Sequence, residues 1–435
     1  MSSSESKDHE DHKATVKTED NVATLSSSDD CITYNWPEIK IVSVEYPGQS
    51  GMTIFSYINT ENPAKRMSYY LSKRGKDIGG FCTDILNRTP DEGEITDGAH
   101  TVVLTGGSTL GLESICGVQN HILQDNMFWY NNMLKGEDKK NMRYVPIHER
   151  VMGACCFTTN ISIDKSFVYP DLQLGTFGMN KVFELRESKE EQKIYLKQNG
   201  VGLNSQVAKI NAPNPEVNNW MENGKKGGVG AKFFEDKKSG LKVLVFINLN
   251  SLGVIHNNYE LLHDFNKWKK GTNITKKPEL AERLEGFTKF MGGRNPISGG
   301  SPSNTTLSVI ITNLELPHDE KERISEELHQ QIEDMIYPYG TYGDGDILFV
   351  CSTWDIKYSE EKKGILLDEG KRLIKESIIS VFSDGEATKE AAGGAGGAGG
   401  AISAKKYQRG GNLESIYEEK YLKYKRKYNM LKNKL

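Results

Sequence analysis

Between about residue 36 and residue 385 the chain alternates short runs of apolar residues with stretches in which apolar residues recur every three or four positions. HTVVLTG, 100 to 106, reads as a buried strand, and after the turn Gly106-Gly107-Ser108 the residues Leu112, Ile115, Val118 and Ile122 recur at helical spacing. LKVLVFINLN, 241 to 250, and TLSVIITNL, 306 to 314, are two more buried strands. Ile324, Leu328, Ile332 and Met335 mark an amphipathic helix after the second, and DILFVCST, 346 to 353, closes the unit as a fourth strand. Such alternation predicts an α/β or layered α+β domain, not a helix bundle or an all-β sandwich.

The ends read differently. Residues 1 to 35 are polar and charged, with too few apolar residues to offset the entropy of ordering, and are expected to be a disordered acidic tail. The Ala391 to Ala401 run AAGGAGGAGGA lies in a flexible linker, 386 to 411, between the body and a last segment, 412 to 435. There Tyr417, Tyr421, Tyr424, Tyr428, Leu431 and Leu435 line up as the seam of a helix whose other faces carry Lys420, Lys423, Lys425, Arg426, Lys427 and Lys432. A solvated helical tail and a dock for another protein or an acidic surface both fit that pattern.

Composition narrows the chemistry. A formal charge of -4 over 435 residues provides no electrostatic footprint for nucleic acid on the body. No apolar run approaches the roughly 20 residues that span a bilayer, and the first thirty residues lack an apolar signal core, so an intracellular protein is expected. The six cysteines are scattered in apolar segments and read as reduced core thiols. There is no GxxxxGKS, GxGxxG or HExxH pattern and no Cys/His cluster, so neither a nucleotide, a metal nor another cofactor is implied.

One stretch suggests covalent chemistry. In MGGRNPISGGSPSNTTLSVIITN a loop dense in Gly, Ser, Asn and Pro ends abruptly at a strand, with two threonines at its entrance. The Thr305 hydroxyl there can attack the carbonyl of Asn304, and hydrolysis of the resulting ester would leave Thr305 with a free α-amine of pKa about 7.7 to 8.0, a base for its own hydroxyl. By residue types alone, two threonines after a Gly-rich loop are more often a plain turn into a strand. Backbone N–H groups of Gly106-Gly107-Ser108, between strand and helix, are candidates for an oxyanion hole.

NTTLSVIITN, its following helix and YGTYGDGDILFVCST resemble the C-terminal half of the L-aminopeptidase/D-esterase (DmpA-like) family, which includes the nylon-oligomer hydrolases. TDGAHTVVLTGGSTLGLESICGVQNHIL, KKGGVGAKF and LVFINLNSLGVI resemble that family's earlier motifs, in the same order, so the resemblance covers roughly 80 to 353. It implies a layered α-β-β-α sandwich similar to N-terminal-nucleophile hydrolases, self-cleaved between Asn304 and Thr305, with both pieces (36 to 304 and 305 to about 385) in one domain. It also implies a small peptide or amide substrate, no cofactor, and a homo-oligomer.

The same resemblance makes Thr305 the nucleophile and sets Asp344 and Asp346 beside the new N-terminus, where carboxylates would hold the α-ammonium and raise its basicity. By itself an Asp-Gly-Asp sequence is an ordinary tight or calcium-like turn. Asn250 takes the place of an oxyanion-stabilising amide, with Asn248 as the neighbour two residues away, and a strand-terminal turn is its plain alternative. Lys226 matches the lysine of the Lys-Gly-Gly segment, with Lys225 beside it, and a solvated loop lysine is the other reading.

Two segments depart from the family pattern: RYVPIHERVMGACCFTTNISID matches poorly, and the insert at 165 to 199 has no evident equivalent. The last segment, GGNLESIYEEKYLKYKRKYNMLKNKL, resembles a Tyr/Lys-rich tail of giant-virus proteins, which would imply a viral protein of the host cytoplasm or the virion. Two rival readings remain: a non-enzymatic relative serving as scaffold or packaged binding protein, and a metal-dependent hydrolase using the Asp-Gly-Asp turn.

Overall fold

The structure is a computed structural model of the chain, and it describes residues 22–60, 65–75, 79–83, 98–132, 151–158, 168–209, 224–257, 260–261, 304–340 and 344–383. The Gly/Ser-rich loop up to 303, the Gly/Ala linker and the Tyr/Lys-rich segment lie outside the described residues.

Two sheets form the frame. The first runs in the spatial order β1 (Thr24–Leu25), β3 (Ile39–Tyr46), β4 (Ser50–Tyr57), β7 (Thr101–Thr105), β8 (Val151–Cys155), β6 (Gly80–Phe81). The second runs β12 (Gly228–Glu235), β13 (Lys242–Asn250), β16 (Thr305–Leu314), β18 (Gly345–Ile356), β5 (Ser68–Gly75). Short strands complete the set: β2 (Cys31–Tyr34) with β9 (Gln192–Tyr195), β10 (Gln206–Val207) with β11 (Lys225–Lys226), and β15 (Glu260–Leu261), β14 (Val254–Asn257) and β17 (Ile336–Tyr337) together. The helices are α1 (Glu113–Asn132), α2 (Leu172–Glu184), α3 (His318–Glu333) and α4 (Glu360–Phe382).

Residue parity along the strands builds the layers. Phe55, Val102, Leu104 and Met152 of the first sheet meet Leu244, Phe246, Leu307, Val309 and Phe349 of the second in one core, with Phe55 and Phe246 edge to face at 4.8 Å. The opposite face of the first sheet, through Val44, Ile54 and Val103, packs on Ile115 and Val118 of α1 and Leu174 and Val182 of α2. That of the second, through Val245, Ile310 and Leu348, packs on Ile324 and Leu328 of α3 and Leu373 and Ile378 of α4. The architecture is therefore a four-layer α-β-β-α sandwich. All ten residues of β16 are buried, Thr305, Thr306, Ser308, Thr312 and Asn313 included, which explains why its apolar residues do not alternate with exposed ones.

The central strands fall where the hydrophobic pattern places them, within two to three residues. Two expectations, on the N-terminal tail and on the cysteines, need correction, and the insert finds its place. The tail read as disordered to residue 35 contains β1 and β2: Ser26 Oγ donates to Glu45 at 2.5 Å, and Tyr34 is buried with its hydroxyl on the Ile39 carbonyl. An edge strand needs only a few backbone rungs, so low apolar content did not prevent it. The insert at 165 to 199 supplies α2, started by the Asp171 side chain accepting from Leu174 N, and β9, so part of it belongs to the helical layer. Of the six free cysteines Cys155, Cys156 and Cys351 are buried, but Cys31 and Cys116 are only partly so and Cys82 is exposed.

Candidate active site

The strands β13, β16 and β18 bring one rim of the second sheet together. In the antiparallel ladder Asn250 lies opposite Thr305, and in the parallel one Asn304 forms a bridge with Asp344. Gly345 N donates to the Asn304 carbonyl oxygen at 2.9 Å, so the carbonyl of the Asn304-Thr305 bond is held by a backbone donor. Asn304, Thr305, Asp344, Asp346 and Asn250 are all at most 5% exposed. Five sequence-singled residues thus share one buried rim.

The pleat divides them between two faces. Thr305 and Asn250 lie on the parity of Leu307 and Phe246, toward the core between the sheets. Asn304, Thr306, Asp344 and Asp346 share the parity of Ile310 and Leu348, toward α3. Asp346 Oδ1 accepts from Thr306 N at 2.5 Å and Oδ2 from Gly340 N at 3.1 Å. Burial, and then the charge of Asp344, raise the Asp346 carboxyl well above the usual carboxylate range despite those two donors.

Asn250 is the hub of the other face. Its Nδ2 donates to Phe157 O at 2.7 Å, and its Oδ1 accepts from Gln206 N and from Lys209 Nζ, both at 3.0 Å. Lys209 Nζ also donates to the Asn250 carbonyl at 3.1 Å. Asn248, two residues earlier, instead accepts from Ser205 Oγ and donates to Cys156 Sγ and the Val201 carbonyl. It belongs to the wall behind the site.

Lys209 is the residue that the sequence did not single out. It is 5% exposed, and burial pushes its amine down to about 8, against the opposing pull of Cys156, Asp344 and Asp346. Its local sequence, Val207-Ala208-Lys209-Ile210, gives one signal only, a lysine between apolar neighbours. Lys226 lies exposed on β11, whose pairing with β10 makes the start of the Lys-Gly-Gly segment part of a two-stranded ribbon, the setting of the solvated-lysine reading. What the segment contributes is closeness, because a Cβ on Gly228, at φ +123, would stand 2.2 Å from the Lys197 carbonyl oxygen.

The Gly106-Gly107-Ser108 turn is also corrected. Gly106 N donates to Gly51 O at 2.9 Å, Gly107 N to Thr158 Oγ1 at 3.2 Å and Ser108 N to Cys156 O at 2.9 Å, so all three donors are committed inside the fold. The turn buttresses the segment 156–158, from which Phe157 in turn receives the Asn250 amide. Among the described residues no three His, Cys, Asp or Glu side chains cluster as metal ligands, so the Asp344/Asp346 pair has no such company there.

No protein-family model matches the chain. It is 23% identical over 258 residues to the 6-aminohexanoate-oligomer endohydrolases of Agromyces sp. (strain KY5R) and Kocuria sp. (strain KY2). The aligned stretch is 59% of this chain and spans 61% of the length of those relatives. The fold is similar to that of the L-aminopeptidase D-Ala-esterase/amidase from Ochrobactrum anthropi, with a TM-score of 0.43 and 13% identity over 82% of each chain.

Proposed function

We propose that the chain is an amide hydrolase activated by its own cleavage between Asn304 and Thr305, with Thr305 as the N-terminal nucleophile of the mature form. The observation that carries this reading is the setting of that bond: its carbonyl oxygen accepts from Gly345 N–H, its threonine faces Asn250, and Asp344, Asp346 and Lys209 are buried around it. A rim so rich in desolvated polar groups is costly to fold, and chemistry is its best explanation.

In the maturation step the Thr305 hydroxyl oxygen attacks the Asn304 carbonyl carbon and its proton passes to the neutral fraction of Lys209. The developing oxyanion stays on the Gly345 N–H. Collapse breaks the C–N bond, and the departing nitrogen takes the proton back from Lys209. Water then hydrolyses the ester, giving the Asn304 carboxylate and a Thr305 with free hydroxyl and amine. In the mature form that α-amine replaces Lys209 as base, and Thr305 attacks the carbonyl of an external amide to form an acyl-enzyme that water resolves.

The relatives are named for an oligomer of an amino acid joined by amide bonds, and a peptide-like amide is the substrate class we assign. Lys226 lies exposed on β11, and we assign the proton-accepting role to the buried Lys209 instead. Intact mass and N-terminal sequencing of the purified chain beside Thr305→Ala test the proposal: two fragments, one beginning at Thr305 and absent from the variant, are expected. An uncut chain in both would overturn it.

A further inference from the structure

Helix α3 carries an apolar stripe, Ile324, Leu328 and Ile332, and beside it a polar one that an amphipathic helix has no need to bury. His329 in that second stripe is fully buried. Its Nδ1 is 2.7 Å from Ser72 Oγ on β5, and its Nε2 is 2.7 Å from the hydroxyl of Tyr339. The imidazole and phenol rings meet edge to face at 5.6 Å.

The neighbours of Ser72 settle which nitrogen carries the hydrogen. Ser72 Oγ donates to Glu326 Oε1 at 2.7 Å and accepts from Arg74 Nη1 at 3.2 Å, and Arg74 is itself paired with Glu326 at 2.7 Å and with Glu333 at 3.5 Å. With its one proton committed to Glu326, Ser72 must accept from His329 Nδ1–H. The Nε2 is then bare, and the Tyr339 hydroxyl donates to it. Burial, with Arg74 adding, pushes the imidazole down to about 3, which keeps it in the neutral form this chain of bonds requires.

The chain ends at the site. The residue after Tyr339 is Gly340, at φ +64, whose N–H donates to Asp346 Oδ2 at 3.1 Å. Arg74 faces Asp346 across the β18–β5 ladder, and the charged groups around this carboxylate and its arginine neighbour are Glu326 and Glu333 of α3, Asp344 just before β18, and Lys209 beside Asn250.

We infer that His329 is a positioning residue for the acid pair: by anchoring Tyr339 it fixes the Tyr339-Gly340 turn whose amide holds Asp346, and so couples helix α3 to the cleavage site. The inference rests on the proposed maturation at Asn304-Thr305 for its chemical consequence, but not for its structural one. Three full-length variants test it: His329→Leu, which fills the volume and removes both hydrogen bonds, His329→Gln, which keeps one donor and one acceptor, and Tyr339→Phe, which deletes only the hydroxyl and serves if the leucine variant fails to fold.

His329→Leu and Tyr339→Phe are expected to slow self-cleavage about tenfold or more, since small displacements of reacting groups carry penalties of that order. His329→Gln should restore most of the rate. Hydrogen exchange over residues 336 to 340, measured in a Thr305→Ala background that cannot cleave, should accelerate for Leu and Phe and return toward normal for Gln. This second measurement decides the structural claim even if the wild-type chain remains uncut, an outcome that would overturn the maturation proposal alone. Unchanged exchange in both defective variants would overturn the inference, as would looser exchange with undiminished cleavage in a chain that does cut itself.

Discussion

The two helical layers cover similar sheets in dissimilar ways. On the first sheet α1 and α2 approach so closely that a Cβ on Gly117 would stand 2.1 Å from the Leu172 carbonyl oxygen, and one on Gly175 would stand 1.9 Å from that of Ser114. Their buried contacts are mainly apolar, with Ser114 and the Thr176 hydroxyl on the Gly117 carbonyl as the polar exceptions. On the second sheet α3 buries His329 and Ser325 beside Ile324, Leu328 and Ile332, on the face of the strand rim that carries Asp344 and Asp346. One layer is packed for stability, while the other gives up some stability to hold charge and hydrogen-bond direction in place. That is the arrangement expected where a fold hosts chemistry.

The contrast can be broken in order of expected effect. Lys209→Met should slow self-cleavage about a thousandfold, within the range of general-base contributions, with little loss of thermal stability because a buried ammonium gives way to an apolar chain of similar length. A gel time course beside a melting curve reads both. Should the variant cleave at the normal rate, Lys209 is not the base.

Gly175→Val should do the reverse, costing about 3 kcal/mol in denaturant unfolding by forcing α1 and α2 apart. Cleavage per folded molecule should stay as it was. A selective loss of cleavage there would remove the distinction between the layers.

The pH dependence of cleavage sharpens the comparison further. A lysine lowered to about 8 becomes a competent base only as pH rises through that value, so the wild-type rate should climb between roughly pH 7 and 9. The same shift predicts that its burial stabilises the fold above the ordinary lysine range and loses that contribution as pH falls through about 8. A flat rate profile over this window would contradict the assignment.

The smallest effect concerns the acid pair. Asp346 is raised in the folded state, so the pair favours folding below the ordinary carboxylate range, and that contribution is lost as pH rises through the elevated value. Asp344→Asn removes one of the causes, and should therefore unfold about 1 kcal/mol later than wild type at neutral pH, with no gain near pH 4. Melting curves at the two pH values check it.

Much of this is legible in the amino-acid sequence alone. Strands β13, β16 and β18 declare themselves because both faces are buried, and the residues at their ends, Asn250, Thr305, Asp344 and Asp346, are fixed in space by strand register alone. Lys209 was not legible, because its meaning comes from Asn250, forty-one positions later, and from a ribbon of two-residue strands without periodicity. The Gly106-Ser108 turn misled for the converse reason. Its donors look free in sequence, and only the placement of Gly51, Cys156 and Thr158 shows where they go. His329 was invisible too, since a helical histidine next to an apolar stripe reads as surface until Ser72 and Tyr339 enclose it.

The bond proposed to break lies at the very start of a ten-residue strand that is flanked by β13 on one side and β18 on the other. A nick at the rim severs connectivity without removing a single rung of the β16 ladders. The two pieces would then be interlocked like fingers and should melt in one transition at any dilution. The freshly made carboxylate of Asn304 would meanwhile be left against Asp344, its bridge partner. Like charges crowded in so dry a place push the severed end outward, so the cut would act as a ratchet, opening the rim to an external amide while making religation unfavourable.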